Sequence, residues 1–559
     1  NRFLNKVFHR LEKYYCFAKQ IKNLPTLKIY IIIKKLKFIV AFVCLISINS
    51  YAQKVFKVEL KDSQTSEPIS YATVRLDSTN KGVIADYNGQ FRLPVRLKDS
   101  VSFLNISSIG YANLQIDVDS LKEELLNTFT MDVQLEVMDA VVIDPKKRGL
   151  AKGVNLMTAL QIVKEAVKSI PKNISSKPHS YLGYYRDYQI SKEGEYLNLN
   201  EALIEEFDAG IFSHKVLSEK NQAVLYEYRN NTKFKKDSIL ALDYNNPSKF
   251  LDHAEGLERS SNELLFLNMH NPIRIPSTRS FSFVHQLNTD FIENHIFKKN
   301  GVVYLDGEPI ITISFYLRGN EGSSANYNSK KNRFKQVHDA KGEIQISLYD
   351  FAIHAFDYSL IDKKNQNPLM HVTIEYRRLN DKMFLNYITF NNEFVIEDRD
   401  EMFRETNVDF NQSDSLLVID FSHEVDVKTI KTNRFKLFFK GRRIPFESVT
   451  VNDTLKSQLF LKLPKTELEL PYMKKKEEGF LKLEIKRLKD VRGKKLYEKI
   501  LTKGFQFREF FVQEVFENKF LDKDLEFINK IEPLSKAKVN DVIDIENYII
   551  NSPLMFRKM

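Results

Sequence analysis

The stretch KGVIADYNGQFRLP, residues 81–94, lies between two runs of alternating side chains, and its reading decides the N-terminal fold. A turn needs a hydrogen-bond acceptor at its first position and a residue at ease with positive φ at its fourth. Asp86 and Gly89 supply both. The competing reading is a calcium loop, because Asp-x-Asn-Gly resembles part of an EF-hand. Such a loop needs a further oxygen ligand before the glycine and a distal Glu, and neither is at the required spacing. DYNG is therefore expected to be a hairpin turn, with GVIA ending one strand and QFRLPV beginning the next.

Working outward, the period stays at two. VFKVEL sets Phe56, Val58 and Leu60 against Lys57 and Glu59, and YATVRL sets Ala72, Val74 and Leu76 against Thr73 and Arg75. LQIDV (114–118) and FTMDVQL (129–135) repeat the alternation. Five or more short strands with turn residues between them predict a β-sandwich of roughly 90 residues.

At 559 residues the chain is too long for one core, and roughly three domains is the starting expectation. The net charge of +11 is concentrated at one end: residues 1–52 hold ten Lys/Arg and one acid, leaving 74 basic and 72 acidic residues. The basic balance is thus no sign of nucleic-acid binding. Lys34, Lys35 and Lys37, the apolar run Phe38–Ile48 and Ser50-Tyr51-Ala52 read as a secretory signal peptide cut near 52/53, too short for a comfortable membrane span. The 33 residues ahead of Lys34, with no initial Met, are expected to be an over-extended reading frame. Cys16 and Cys44 both precede the cut, so disulfides, thiolate metal sites and a Cys nucleophile are not expected in the mature chain.

The N-terminal residues carry a resemblance. Glu67-Pro68, Ala72, Val74, Lys81-Gly82, Asp86, Gly89, Phe91 and Ser108-Ile109-Gly110-Tyr111 resemble the carboxypeptidase regulatory-like domain of Gram-negative envelope proteins, over residues 54–143. The resemblance implies a transthyretin-like sandwich of seven strands. It does not imply peptidase activity. A zinc peptidase needs His-x-x-Glu with a distant His, and the one such pair is His9 and Glu12, ahead of the signal peptide. A TonB-dependent barrel, which follows this domain in many relatives, would need more chain than remains.

After the basic linker at 145–149 the period lengthens. Ala159, Val163, Val167 and Ile170 mark one helical stripe, with Thr158 as N-cap and Pro171 as terminator. Long alternating runs follow, predicting a strongly curved antiparallel sheet around a helix, over 150–405. Lys341-Gly342-Glu343-Ile344-x-Ile346 resembles periplasmic lipoprotein-carrier half-barrels at the level of fold. Tyr184-Tyr185-Arg186-Asp187 with Asn200-Glu201-Ala202 resembles the middle region of envelope proteins that carry the same sandwich. Arg186 and Glu201 are expected to be a buried ion pair. RGNEGSSANYNSKKNRFKQVHDAKG, from Arg318, is expected to be a long exposed loop.

Residues 412–508 resemble bacterial Ig-like domains, through Phe421-Ser422, Val425-Asp426, Asp490-Val491-Arg492-Gly493 and Phe505-Gln506-Phe507, with GFQFREF as a core strand. Residues 509–559 are left as a helical or irregular tail that either docks on the middle domain or stays free. The fold class is mainly β: a transthyretin-like sandwich, a middle α+β domain and a C-terminal Ig-like sandwich.

No constellation for chemistry stands out. Phosphate loops and nucleophile elbows are missing. Glu201, Glu205 and Glu206 are one of many chance carboxylate groups. His423, Glu424 and Asp426 would not converge from a strand. His285 and His295, with Asp290 and Glu293, read as a solvated face. No catalytic, metal or cofactor-binding residue is assigned and no cofactor is expected. The expectation is a non-enzymatic, exported binding or adaptor protein of the periplasm or outer-membrane surface of a Gram-negative bacterium. Its partner would be an envelope or outer-membrane protein or a glycan, with no nucleic acid and no transmembrane segment in the mature chain. The alternatives are a glycan or peptide hydrolase with its site in the middle domain, and an apolar-ligand carrier or accessory partner of an outer-membrane protein.

Overall fold

The computed structural model describes residues 54–553 apart from 78–80, 135–148, 243–245, 247, 252–261, 279–285, 306, 319–337, 365–367, 399–400, 412, 440, 465–480 and 546–547. The signal peptide, both cysteines, His285, nearly all of the basic linker and most of the long polar loop lie outside these residues. The protein is mainly β, built from several largely antiparallel sheets.

The N-terminal strands are β1 (Val55–Asp62), β2 (Thr73–Leu76), β3 (Gly82–Ile84), β4 (Gln90–Pro94), β5 (Phe103–Ser107), β6 (Leu114–Asp117) and β7 (Leu126–Met131). They form two sheets, β4-β1-β7 and β3-β2-β5-β6. Alternate residues of β1 are buried, and Phe56, Val58 and Leu60 meet Val74, Phe91 and Leu104 in one core.

The DYNG stretch is a turn but not a hairpin. Asp86 Oδ1 accepts the N–H groups of Asn88 and Gln90, both at 2.9 Å, and Gly89 N–H donates to the Asp86 carbonyl at 2.9 Å. Gly89 has φ +69°, and a Cβ there would sit 2.6 Å from the Leu60 carbonyl oxygen. Yet β3 and β4 belong to different sheets. Val83 and Ala85 enter the core from one side, Phe91 and Leu93 from the other. The turn is an arch over the sandwich end.

The middle region opens with α1 (Ala159–Asn173), whose Thr158 forms a capping box with Gln161. Pro171 does not end the helix: it sits in the last turn, spanned by the Ile174 N–H bond to Ile170 at 2.9 Å. Then come β8 (His179–Ser191), β9 (Tyr196–Asp208), β10 (Ala223–Asn230), β11 (Lys249–Phe250), α2 (Glu263–Met269), α3 (Asp290–Asn294), β12 (His295–Leu305), β13 (Glu308–Leu317), β14 (His338–Ser347), β15 (Ile353–Asp362), β16 (Pro368–Leu379) and β17 (Lys382–Glu397). The last residues expected in the polar loop, from His338, already belong to β14.

Seven further strands, β18 (Glu405–Asn411), β19 (Leu416–Phe421), β20 (Phe435–Phe439), β21 (Arg442–Ile444), β22 (Ser448–Val451), β23 (Gln458–Lys462) and β24 (Leu481–Ile485), make two small sheets around Leu417, Ile419, Leu437 and Leu461. The chain then returns as β25 (Leu501–Glu517), which pairs with β8 on one side and β17 on the other. The expected boundary at 508/509 is therefore replaced: GFQFREF is no strand of the third unit but the middle of an 11-stranded sheet, ordered β10-β9-β8-β25-β17-β16-β15-β14-β13-β12 with β11 beside β17. The third unit is an insertion between two adjacent strands of that sheet.

Two neighbouring rows of residues show how the sheet is built. Ile344, Phe356, Ile374, Ile388, Phe510 and Tyr185 lie opposite one another on successive strands and face the helices in the main core. One residue along, Ser314, Glu343, Asp357, Thr373, Thr389, Glu509, Arg186 and Glu201 form a second row from β13 to β9. Successive side chains on a strand point to opposite faces, so the second row is the outer face.

The tail docks. Ile528 and Asn540 each donate a backbone N–H to β10, at 2.8 Å, covering that sheet edge, while Leu521, Leu525, Phe527 and Ile543 pack on Leu203, Phe207 and Tyr226. Among its described residues, Asp541–Asp544 and Tyr548 are not helical, and Ile545 lies in a 3₁₀ turn.

Candidate binding face

The outer row is covered along half its length. The N-terminal sandwich and the end of the tail press on it with Tyr71, Ile84 and Ile550, against Tyr184, Tyr387 and Phe511. Tyr71 stacks on Tyr387 with ring centroids 5.2 Å apart. Beneath them Arg186, Glu201, Glu509 and Thr389 are all buried.

The expected Arg186–Glu201 pair is not formed. Both are cross-strand neighbours, but Arg186 has a second neighbour in Glu509 on β25 and pairs with that carboxylate instead. Its guanidinium also lies over the Phe511 ring, 5.3 Å from the centroid. Glu201 is satisfied by Arg229 at 3.2 Å, Tyr184 Oη–H at 2.6 Å, Asn231 at 2.9 Å and Ser552 Oγ–H at 2.5 Å. Burial alone would raise the Glu201 pKa; Arg229 and these donors outweigh it and hold it below the ordinary carboxylate range.

Two acids are sealed under the sandwich. Asp86, from the opening turn, is pushed up to about 6 by burial, with Arg186 working against the shift. Glu375 is pushed up to about 7 by burial, although Asn386 donates to it at 2.7 Å. Asn386 also donates to Thr73 of β2 at 2.8 Å, which ties the sandwich to the sheet.

The rest of the row, on β13 to β16, has no domain over it among the described residues. Glu343 is exposed and stands directly opposite Asp357, itself 40% exposed. His371 Nε2 lies 2.6 Å from Asp357 Oδ2, and Thr373 Oγ1–H donates to the same oxygen at 2.9 Å. Partial burial first, and the Asp357 charge second, raise the Glu343 pKa. Burial would lower that of His371, but Asp357 outweighs it and leaves it raised. Asp357 and Thr373 both meet the same imidazole nitrogen, so no hydroxyl–imidazole–carboxylate relay is formed.

The helix side holds a second polar group. Arg274 forks onto Asp208 at 2.8 and 2.7 Å, and Lys215 Nζ is 2.9 Å from Glu206 and 3.8 Å from Asp208. Despite its burial, Asp208 is held well below the usual carboxylate range by Lys215 and Arg274. A cavity of about 40 Å³ adjoins, lined by Glu206, Lys215, Asn221, Asn268, Leu264 and Lys530 among others. At roughly 10–15 Å³ per water-sized sphere it has room for a few waters, far below the ~300 Å³ where ligand pockets begin. Glu205, expected only as a chance neighbour, faces the other side and meets Lys519 and Ser180, each at 2.5 Å.

His295 is not on a solvated face. It is fully buried, its Nδ1 2.8 Å from the Phe291 carbonyl and its ring beside Phe315 and Tyr358. Burial lowers its pKa to about 4. His270 repeats the device on Phe266, at 2.6 Å. The sequence signal was Phe-x-x-x-His in FLNMH and FIENH: on a helical turn the imidazole reaches back to the carbonyl four residues earlier. His423 lies 3.9 Å from Asp490, while Asp426 caps the Lys428 N–H at 3.0 Å. Among the described residues no group of three or more His, Cys, Asp or Glu side chains is placed to hold a metal ion, and no helix is long and apolar enough to cross a membrane.

A chain with a seven-stranded two-sheet sandwich seated on a large antiparallel sheet belongs structurally with multidomain β proteins. More specifically, residues 58–143 match the CarboxypepD_reg-like domain, so the chain carries a domain of that family. No curated protein matches the sequence. Among solved structures, the chain is similar to a LolA superfamily protein from Nitrosomonas europaea, at 9% identity and TM-score 0.17, covering 42% of this chain and 86% of that one. A DUF1329 family protein from Desulfovibrio piger aligns at 7% identity and TM-score 0.17, over 42% and 87% of the two chains. The Pseudomonas aeruginosa MucA/MucB complex aligns at 9% and 0.16, over 58% and 99%. Scores this low carry no argument about function.

Proposed function

We propose that this is a non-catalytic, exported adaptor of the Gram-negative envelope that binds a partner protein through the open half of the sheet. Glu343 opposite Asp357 carries the reading. Like charges directly across two strands cost stability, and Asn300, which donates to Glu343 at 3.1 Å, with His371 and Thr373 on Asp357, offsets them only in part. A partner surface bearing Lys or Arg would neutralise both carboxylates. The basic, apolar segment at 34–52 supports export, and the inserted strands 405–485 serve on this reading as an Ig-like spacer. The buried acids described above are instead locked in pairs or sealed under the sandwich, which favours binding over hydrolysis.

The test is a crosslinked pull-down from an envelope extract with residues 53–559 as bait, run beside the Glu343→Lys/Asp357→Lys variant. The expected result is one stoichiometric partner, lost in the variant and weakened by salt. Equal recovery by both baits, or capture of glycan alone, overturns the proposal.

A further inference from the structure

The covered half of the sheet holds a second feature, independent of the open half. Residues 549–553, Ile-Ile-Asn-Ser-Pro, run through the seam between the N-terminal sandwich and the sheet, and each is held there. The Gln513 side-chain amide pairs with both the N–H and the C=O of Ile549, at 2.9 and 2.6 Å. The Ile549 side chain completes the core of the sandwich, and Ile550 packs into the interface.

Asn551 is the centre of the contact. Its amide donates to the Ile84 carbonyl on β3 at 3.0 Å and accepts the Arg92 N–H on β4 at 2.8 Å, thereby bridging the two sheets of the sandwich. Its own carbonyl accepts from Arg186 at 3.2 Å. Ser552 meets Glu201 and Arg229 at 2.5 and 3.1 Å, and the Pro553 carbonyl accepts from Arg92 at 2.7 Å.

We infer that this seam is a receptor for an extended peptide of the type aliphatic-aliphatic-Asn-Ser-Pro, filled here by the chain's own C-terminal segment. Main-chain pairing by a Gln amide, successive side chains in separate apolar sites and an Asn read on both edges are the elements of linear-peptide recognition. The stretch leading to it, 521–540, is docked on β10 and the sheet and so holds the segment at a high effective concentration, and an outside peptide competes once the chain is cut beyond that stretch.

The experiment inserts a protease site between Asp541 and Val542, both exposed and beyond the residues bonded to β10, in otherwise full-length protein, and cuts it after folding. A fluorescent peptide of sequence 546–553 is then added and followed by anisotropy. The cut protein is expected to take it up, the uncut protein at least about tenfold less, and a peptide with Asn551→Ala about tenfold more weakly than the native peptide. No uptake by folded, cut protein overturns the inference, as does equal uptake by the uncut chain or of the substituted peptide. If cutting unfolds the protein, amide exchange on the uncut chain decides instead. Residues 549–551 should open at least tenfold faster than β1, and equal protection overturns the inference.

Discussion

The outer row of the sheet is one line of residues under two regimes. From Thr389 to Glu201 it lies beneath the sandwich, where each charge has its partners built in: Arg186 with Glu509, and Glu201 with Arg229, Tyr184 and Ser552. From Ser314 to Thr373 it faces outward, where two acids stand opposite each other and are left half-compensated. Burial does not tolerate what exposure does. An unpaired charge in the covered half would cost several kcal/mol, whereas in the open half water screens it.

That contrast can be broken most severely at Arg186. Arg186→Met leaves Glu509 buried without its cation and is expected to destabilise by about 3–5 kcal/mol in urea unfolding; a loss below ~1 kcal/mol would mean that the covered half is no more demanding than the open one. Asn386→Ala removes the donor shared by Thr73 and Glu375, and should cost roughly 1–3 kcal/mol and loosen the sandwich, as read by amide exchange of β2.

The pH dependence sharpens the comparison further. Asp86 and Glu375 rise from 3.8 and 4.5 to about 6 and about 7 in the folded protein. A carboxyl raised by folding contributes stability below its unfolded pKa and loses it as pH climbs through the folded value. These two acids therefore pull the melting temperature down from pH 5 to about pH 7, against the buried His270 and His295, which pull it up towards pH 6.5, and Asp86→Asn with Glu375→Gln should remove the downward part. Glu201 and Asp208, shifted the other way, lose their contribution only as pH falls through and below the ordinary carboxylate range, outside that window. The smallest effect is expected in the open half. Glu343→Gln relieves the opposed charges and should stabilise by roughly 0.2–1 kcal/mol, while Thr373→Ala stays within about 0.5 kcal/mol of wild type.

Much of this was legible where the signal is local. Period-two alternation marked β1, β2 and β4, Thr158 marked the start of α1, and Asp86 with Gly89 marked a turn. What could not be read was partnership. GFQFREF alternates equally well in either of two sheets, and nothing within the strand says that its neighbours are β8 and β17. The same gap hid Glu509 as the partner of Arg186 and let Glu201 stand in for it. The arch at DYNG reads as a hairpin for a related reason: local turn chemistry does not record which sheet the next strand joins. His295 was misplaced because the nearby acids were visible and the carbonyl of Phe291 was not.

The position of β25 bears on how the protein comes to be folded. Arg186 and Glu509 meet across 323 residues of chain, so the joint at the centre of the sheet closes only after the inserted strands β18–β24 have been synthesised. Until then β8 and β17, strands of 13 and 16 residues, each present a bare edge, the kind of surface that invites pairing with other chains. Closing so distant a contact is slow. The slowest folding phase should be the arrival of β25, and the nascent protein is at its most aggregation-prone in the interval before it.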